Sequence, residues 1–439
     1  MKTGLPPAAA GEEPAPLSPW SQPSAEERVL GLRRLRRSLA QWGGSTFDAL
    51  RVRDYRLLWQ GNSITSMGFW MQQVAIGWLI LDLTGSPFFL GVAGFCRTAP
   101  ALVLAPVAGV LADRVNRRLI ILTSQTVLFV VTALITLLIF SERITITHIL
   151  IASTFHGIAI AVQLPARQAL IPQVVGREKL TNALALFSST QSLSRVIGPS
   201  LAGVIMGVAG VAWCLAFQSL AYLWAIGNVL QMRTPGPRRI GRASAGVFAN
   251  LREGLEFCFR TKPLLFQLLL AVAPMVLAMP YMTLLPAFAR DVYAIGPGGL
   301  GLLYAGIGVG ALIGAVLLAS RRGIRRKQFA TVLVAIANGG FLIVLSVAPW
   351  LPVGLLALAA VGAAGAAFTT LNGSVIQELA PDNLRGRVSG IYLLLMGLMP
   401  LGTVPAGIIA AAWGAPVAVA LGGGLTIVCT LALLAARPQ

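Results

Sequence analysis

Two arginines of this sequence lie in the middle of long apolar runs, where a charge is costly. Arg97 and Arg195 each follow about eleven or twelve residues of such a run, roughly 16–18 Å along a helix at 1.5 Å per residue. That depth is too great for a side chain that only has to reach the helix end. None of the 15 Asp and Glu residues lies at a comparable position. The pattern indicates a cavity of positive sign that attracts an anionic or strongly polar ligand.

A structural role for both arginines is the alternative. Arg195 stands four residues before Pro199, so it would bind carbonyl groups that the proline leaves without a donor. Arg97 would instead reach an acid near the end of a run, such as Asp82. The sequence leaves both interpretations open.

Uncharged polar side chains in the same runs form a second set of candidates. Amides and an imidazole can hydrogen-bond a polar ligand. The candidates are Asn62, Gln72, Gln73, His156, Gln163 and Asn372. A histidine side chain can titrate near neutral pH, so His156 is a candidate proton carrier, as are Asp82 and Asp113 near the ends of runs. A satisfied structural histidine is the alternative for His156.

A short segment of one acid and three arginines, GVLADRVNRR, extends from Gly109 to Arg118. Asp113 is placed to accept hydrogen bonds from exposed N–H groups at the start of a distant helix, near residues 387–389. Arg114, Arg117 and Arg118 would pair with Glu178 or other acids. Gly109 to Arg118 would then be a latch that holds one side of the molecule shut; arginines that serve topology alone are the alternative.

The stretch RVIGPSLAG, from Arg195 to Gly203, contains the pair Gly198–Pro199. A proline inside a helix allows a bend, and small residues allow close approach of a neighbouring helix. The expected partner face is formed by Gly306, Gly310 and Gly314, which recur at intervals of four. Tight packing without a gating role is the alternative.

The elements that must position these groups follow from composition. Of 439 residues, 56% are hydrophobic and 11% charged, with a mean hydropathy of +0.78, so the chain requires lipid as solvent. Continuous apolar runs without period-two alternation predict helices that cross a membrane. Twelve are predicted, at 57–83, 87–112, 119–140, 148–165, 183–207, 211–231, 264–289, 299–320, 328–348, 354–376, 387–411 and 416–436. The predicted fold class is an all-α integral membrane protein of two six-helix, pseudo-symmetric bundles.

The net charge of +19 raises the question of nucleic-acid binding. Thirty of the 34 Lys and Arg residues fall in segments on one side of these spans, two (Arg143 and Arg290) fall on the other, and Arg97 and Arg195 lie within spans. This asymmetry is the positive-inside pattern. It predicts a multi-pass protein of the cytoplasmic (inner) membrane with both termini in the cytoplasm, and it argues against nucleic acid as a partner.

Composition divides the chain into five segments. Residues 1–24 are predicted to be a disordered tail, and 25–54 a basic juxtamembrane segment that lies on anionic lipid or is a solvated charge cluster. The two bundles occupy 55–231 and 264–439, joined by a cytoplasmic linker, 232–263, with an interfacial helix. At an offset of 204 the halves align several residues, Gln173, Leu180, Gly198 and Gly203 with Gln377, Leu384, Gly402 and Gly407.

Several of these motifs resemble the major facilitator superfamily. GVLADRVNRR is similar to that family's signature loop G-x-L-A-D-R-x-G-R-[KR], with Asn116 in place of the second glycine. RVIGPSLAG partly resembles its antiporter signature, with Ser194 at the leading glycine. Residues 54–87 and 164–203 resemble the branch of enterobactin (siderophore) exporters and multidrug efflux proteins. The resemblance implies two six-helix bundles, export, and a cavity lined by spans one, four, seven and ten.

The predicted function is therefore secondary active export, by alternating access, of a small polar or anionic, siderophore-like molecule or a drug. Because no nucleotide-binding loop is present, protons are the expected coupling ion, and a monomer is expected. No cofactor and no metal site are predicted, since the Cys and His residues lack metal-binding spacing. A transport-inactive sensor or scaffold, and less favourably a membrane enzyme, are the alternatives.

Overall fold

The computed structural model describes residues 47–233, 247–320, 326–381 and 384–436. Within these ranges the regular secondary structure is entirely helical, and ten helices are long and apolar enough to cross a membrane. The predicted all-α membrane fold is confirmed. The predicted tail 1–24 and most of the basic segment 25–54 lie outside the described residues. The helices belong to one compact unit, Ala49–Gln439.

The first half follows a short 3-10 helix, Asp48–Arg51. Its helices are α1 Arg53–Thr84, α2 Pro87–Arg114, α3 Arg117–Phe140, α4 Ile146–Val175, α5 Leu180–Val208 and α6 Val211–Gln231. Local sequence accounts for the sharp turn between α1 and α2. Gly85 ends α1 at φ 65°, a conformation that glycine adopts without strain, and Ser86 caps α2 by accepting the Phe88 N–H.

A linker helix, Val247–Arg260, precedes the second half. The helices that follow are α7 Lys262–Val292, α8 Pro297–Ser320, α9 Lys327–Ser346, α10 Leu351–Leu379, α11 in two pieces, Arg385–Met396 and Pro400–Trp413, and α12 Ala415–Ala435. Two π-helical turns, Pro274–Ala278 and Phe288–Val292, interrupt α7.

Helical structure is present at all twelve predicted spans, although only ten meet the criteria of length and hydropathy. The two exceptions have physical causes. Helix α5 is continuous over 29 residues but is made more polar by its serines and Arg195. Helix α11 is divided between Met396 and Pro400, so neither piece reaches the length of a span. The count of twelve crossings is consistent with this architecture.

Two glycine pairs related by the offset of 204 make equivalent contacts in the two halves. Gly198 packs against α1 at Met67, and Gly402 packs against α7 at Val276. Gly203 approaches Gly298 of α8, and Gly407 approaches Gly91 of α2. Helices α5 and α11 therefore occupy equivalent positions, as expected for a duplicated six-helix unit.

The glycines of α8 that meet α5 differ from those predicted. Gly306, Gly310 and Gly314 pack against α10, at Leu355, Ala359 and Ala363. The α5-facing residues are Gly301, against Pro199 and Gly203, and Gly308, against Val196. A step of seven residues returns to nearly the same side of a helix, whereas Gly306 lies on another side. The prediction identified the correct pair of helices but the wrong side of α8.

The two halves share a hydrophobic core at one end only. That core includes Met71 and Ile80 of α1 together with Leu285 of α7 and Leu303 of α8. At the end with the arginine-rich loops, called the basic end below, each half has its own core, around Ile171 in the first half and Ile376 in the second. The halves are thus packed together at the opposite end, and their cores are separate at the basic end.

Candidate functional site

Arg97 of α2 points into the first half and contacts α1. It donates to the Gln73 side-chain oxygen, and its guanidinium carbon lies 4.4 Å from the Phe69 ring centroid, within the range of a cation–π contact. Among the described residues no carboxylate pairs with Arg97. Asp82, the acid expected as its alternative partner, is exposed at the end of α1. The interior charge of Arg97 is therefore held by an amide and an aromatic ring.

Two small cavities border Arg97. One, of about 40 Å³, lies between the halves and is lined by Gln73 and Arg97 of the first half and Thr283, Pro286 and Tyr304 of the second. The other, of about 20 Å³, lies within the first half and is lined by polar groups including Gln72, Thr132 and His156. Gln72 and Gln73 were both predicted to line a cavity. They line two different cavities, Gln72 the smaller and Gln73 the larger.

Arg195 lies on an exposed polar side of α5. Its guanidinium carbon is 5.3 Å from the Trp70 ring centroid. One turn and two turns earlier, Ser192 and Ser188 are also exposed, while Ile197 and Leu201 are exposed on the opposite side of the helix. An exposed polar side within a membrane helix faces water or a polar cavity, not lipid. Arg195 therefore faces the interior space of the basic end. Among the described residues its guanidinium contacts the Trp70 ring and no carbonyl group near Pro199.

A third interior arginine was missed by the sequence interpretation. Arg167 was expected in a loop after residue 165, but α4 continues through Pro165 to Val175. Its Nη1 donates to the Oδ1 of Asn62 on α1, and Asn62 is 2% exposed. The signal was available in the apolar residues that follow, Ala169 to Val175, which extend the helical pattern beyond the proline.

The remaining cavity candidates are deeply buried, as expected of polar residues within the spans. His156 is 4% exposed and packs against Phe69, with 5.9 Å between ring centroids, and its Nε2 has no hydrogen-bond partner. Gln163, 3% exposed, and Asn372, fully buried, also retain amide atoms without partners. Asp82 and His156, both proton-carrier candidates, lie on different helices, and Asp82 is at an exposed helix end.

The latch motif lies at the α2–α3 turn of the basic end. Gly109, Asp113 and Arg114 lie in the last turns of α2, and the Asp113 and Arg114 side chains are outside the described set. Arg117 donates to the Ala169 carbonyl at 3.0 Å, and Arg118 donates to the Val229 and Leu230 carbonyls at 2.9 and 2.7 Å. These bonds tie the turn to α4 and α6 of the same half.

Across the basic end, Arg387 at the start of α11 pairs with Glu253 of the linker helix. Gln377 of α10 donates to the Ser389 hydroxyl at 2.6 Å. An open cleft of about 530 Å³ adjoins this region and is lined by Thr370, Gly373, Ser374, Gln377, Glu378 and Arg385. The second half therefore contributes hydroxyl, amide and charged groups to this cleft.

The chain resembles known proteins over most of its length. Residues 44–438 match the model of a major facilitator family described as transmembrane secretion effector. The staphyloferrin A transporter of Staphylococcus aureus is 27% identical, with 79% of this chain and 87% of that protein covered. The multidrug efflux pump Tap of Mycolicibacterium fortuitum is 27% identical, covering 81% and 87%. The enterobactin exporter of Salmonella typhi is 27% identical, covering 75% and 78%.

Solved structures share the fold. A crystal structure of a mutant of the nucleoside transporter NupG superposes with a TM-score of 0.71 at 12% identity, covering 87% of this chain and 99% of that chain. At this identity the similarity concerns the fold. It agrees with two bundles of membrane helices.

Proposed function

The chain belongs to the transmembrane secretion effector family of the major facilitator superfamily, and we propose that it is a secondary active exporter of a small anionic or strongly polar molecule. It is a multi-pass membrane protein whose relatives include siderophore transporters and drug efflux proteins. The proposed cargo is siderophore-like. Both halves that line the proposed transport path belong to one chain, so a monomer is sufficient for transport.

The observation that carries the cargo class is the set of interior arginines in the first half. Arg97, Arg167 and Arg195 have amide or aromatic contacts, and among the described residues none of them pairs with a carboxylate. A positive charge that is not neutralised attracts an anion far more strongly in a medium of low dielectric constant than in water. Carboxylates and catecholates, the groups that give siderophores their negative charge, suit this wall.

Export as the proposed direction rests on the relatives that are efflux proteins and exporters, and the separated cores support an inward-facing arrangement. The basic end is the cytoplasmic side by the positive-inside rule. The arrangement is then inward-facing, with the cleft near Gln377 and the serines of α5 at the cytoplasmic entrance. Alternating access would close this end through the turn at Gly109–Arg118 and open the opposite end.

A proton gradient is the proposed energy source, since the sequence contains no nucleotide-binding loop. His156 is one carrier candidate, and its buried Nε2 has no partner among the described residues. Asp82 and Asp113 are the other candidates.

The test is uptake by proteoliposomes that contain the purified full chain, with an imposed pH gradient. The probes are a radiolabelled tricarboxylate siderophore and a fluorescent organic cation. Uptake of the anion that an ionophore abolishes supports the proposal. Uptake of the cation alone would identify a drug exporter. Uptake that the ionophore does not change would refute proton coupling. If neither probe nor a catecholate siderophore is transported, a sensor or scaffold is favoured.

A further inference from the structure

The small cavity inside the first half lies on the side of Arg97 that faces the bundle. Helices α1, α2, α3 and α4 enclose it, and its volume is about 20 Å³. A site that holds one water-sized particle needs about 10–15 Å³, the volume of one such particle. The cavity therefore admits a single water molecule or a monatomic ion of similar size.

Within the described part of the chain, three polar atoms at this cavity have no hydrogen-bond partner. They are Oγ1 of Thr132, Nε2 of His156 and Oε1 of Gln72. Thr132 is 1% exposed and His156 is 4% exposed, so neither can be satisfied by bulk solvent. Buried polar groups of this kind are ordinarily bonded, and their convergence on one cavity indicates a ligand there.

Thr132 is distinctive among the threonines of α3. Thr123, Thr126 and Thr136 each donate to the carbonyl four residues earlier, the usual bond of a helical threonine. The Thr132 hydroxyl makes no such bond and lines the cavity instead. Its proton is thus available to a ligand in the cavity.

The charge at the cavity decides the chemical class of that ligand. Arg97 lines it, and no carboxylate of the described residues pairs with Arg97. A charge inside a protein without a counter-charge is destabilising, and an ion of opposite sign beside it offsets part of that cost. A cation is excluded by the guanidinium. The O–H groups of Thr132 and Ser153 and the Nε2 of His156 can all donate, and the Gln72 amide donates when its NH₂ end faces the cavity.

We propose that this cavity binds a small monovalent inorganic anion of the chloride class, which serves as the counter-charge of Arg97. The anion accepts hydrogen bonds from Thr132 and His156 and lies beside the guanidinium. This cavity and the one between the halves share Ile76, Arg97 and Ser153, so the small anion and an anionic cargo compete for the charge of Arg97. The inference does not depend on the proposed export function, and its test needs no cargo.

The first experiment measures the thermal midpoint of the purified full chain in detergent, with sodium gluconate replaced by sodium chloride at constant ionic strength. A ligand that binds only the folded state raises the midpoint in a saturable way. Thr132→Val keeps the side-chain shape and removes the hydroxyl, and it should weaken the apparent chloride affinity about tenfold or more, as expected for a hydrogen bond to an ion. Thr136→Val is the matched control on the same helix and should retain the wild-type shift.

A second measurement avoids dependence on folded variants. Saturable binding of radiolabelled chloride to the wild-type protein, displaced by bromide, is expected at one site per chain. Identical midpoints in gluconate and chloride together with no saturable binding would show that a water molecule alone occupies the cavity. A chloride shift unchanged in Thr132→Val would place the ion elsewhere. Either result overturns the proposal.

Discussion

Arg290, near the end of α7, donates from Nη1 to the carbonyl oxygen of Leu81 in the last turns of α1, at 2.7 Å. Its Nη2 donates to the Gly85 carbonyl at 3.1 Å, and its Nε contacts Asp291 at 2.7 Å. The carbonyls at a helix C-terminus carry partial negative charge, and the Leu81 carbonyl also accepts the Gly85 N–H at 2.8 Å. Arg290 of the second half therefore closes the end of α1 in the first half, at the end where the two halves are packed together.

Arg290→Gln should shift the molecule toward an arrangement that is open at this end. Hydrogen bonds to a charged group contribute about 1.5–3 kcal/mol when buried, and partial exposure reduces this to about 1–2 kcal/mol. The ratio of the two arrangements should then change by roughly tenfold. Distances between spin labels on α1 and α7 report the shift. Arg143→Gln, at an exposed arginine of the same end, is the control and should leave the distances unchanged.

The α5–α8 crossing depends on glycine at position 203. A Cβ there would lie 2.7 Å from the Gly298 carbonyl oxygen and 3.1 Å from the Gly301 Cα, so backbone would have to move. Gly203→Ala should lower the thermal midpoint and the transport rate together. Gly207, one turn later on α5, has no neighbouring atom within 4 Å of a Cβ, so Gly207→Ala should be neutral or slightly stabilising. Equal midpoints for the two variants would contradict the close approach.

The Asn62–Arg167 pair can be tested by comparing variants, because a double substitution should destabilise the protein less than a single one. Asn62→Leu leaves the guanidinium without its acceptor and should destabilise the protein by about 1.5–3 kcal/mol, the usual contribution of a hydrogen bond to a charged group. Asn62→Leu combined with Arg167→Met replaces both polar groups with apolar ones and should recover most of the thermal midpoint. Transport of an anionic probe should remain low in the double variant. A double variant as unstable as the single one would show that the pair is not coupled.

The sequence allowed most of the architecture to be predicted because long apolar runs and the distribution of arginines depend on local composition. The position of Arg97 within a helix could be read in the same way. Contacts between helices could not be predicted from the sequence, because they depend on which side of each helix faces its neighbour. In α8, for example, Gly308 contacts α5, whereas Gly310 contacts α10. The predicted fourth span ended at residue 165 and so left Arg167 in a loop, whereas α4 continues past Pro165 to Val175. That the Thr132 hydroxyl lacks a hydrogen-bond partner could not be predicted either, because it depends on the side-chain rotamer that packing selects.

Asp113 remains the proposed centre of the cytoplasmic latch. Asp113→Asn keeps the side-chain size and removes the charge that would bind the helix start near Arg387. We expect lower transport with nearly normal membrane insertion, measured as flux per amount of folded protein. Glu256→Gln, at an exposed acid of the linker helix, is the control. Unchanged flux in Asp113→Asn at equal expression would exclude the latch.

The charge of the interior wall can be tested at Arg97 and Arg195 with the two probes in parallel. Arg97→Gln should lower uptake of the anionic probe about tenfold, the usual loss of one charge-assisted bond, and should spare or improve uptake of the cation. Arg195→Gln should act in the same sense, because Arg195 contacts Trp70 and has no carbonyl partner among the described residues that would make it a support for α5. Arg143→Gln, which removes the same charge at an exposed position, should change neither. Folded amount is checked by thermal melting in detergent. Equal losses for both probes in Arg97→Gln would assign that arginine to structure, and the same result in Arg195→Gln would restore a supporting role near Pro199.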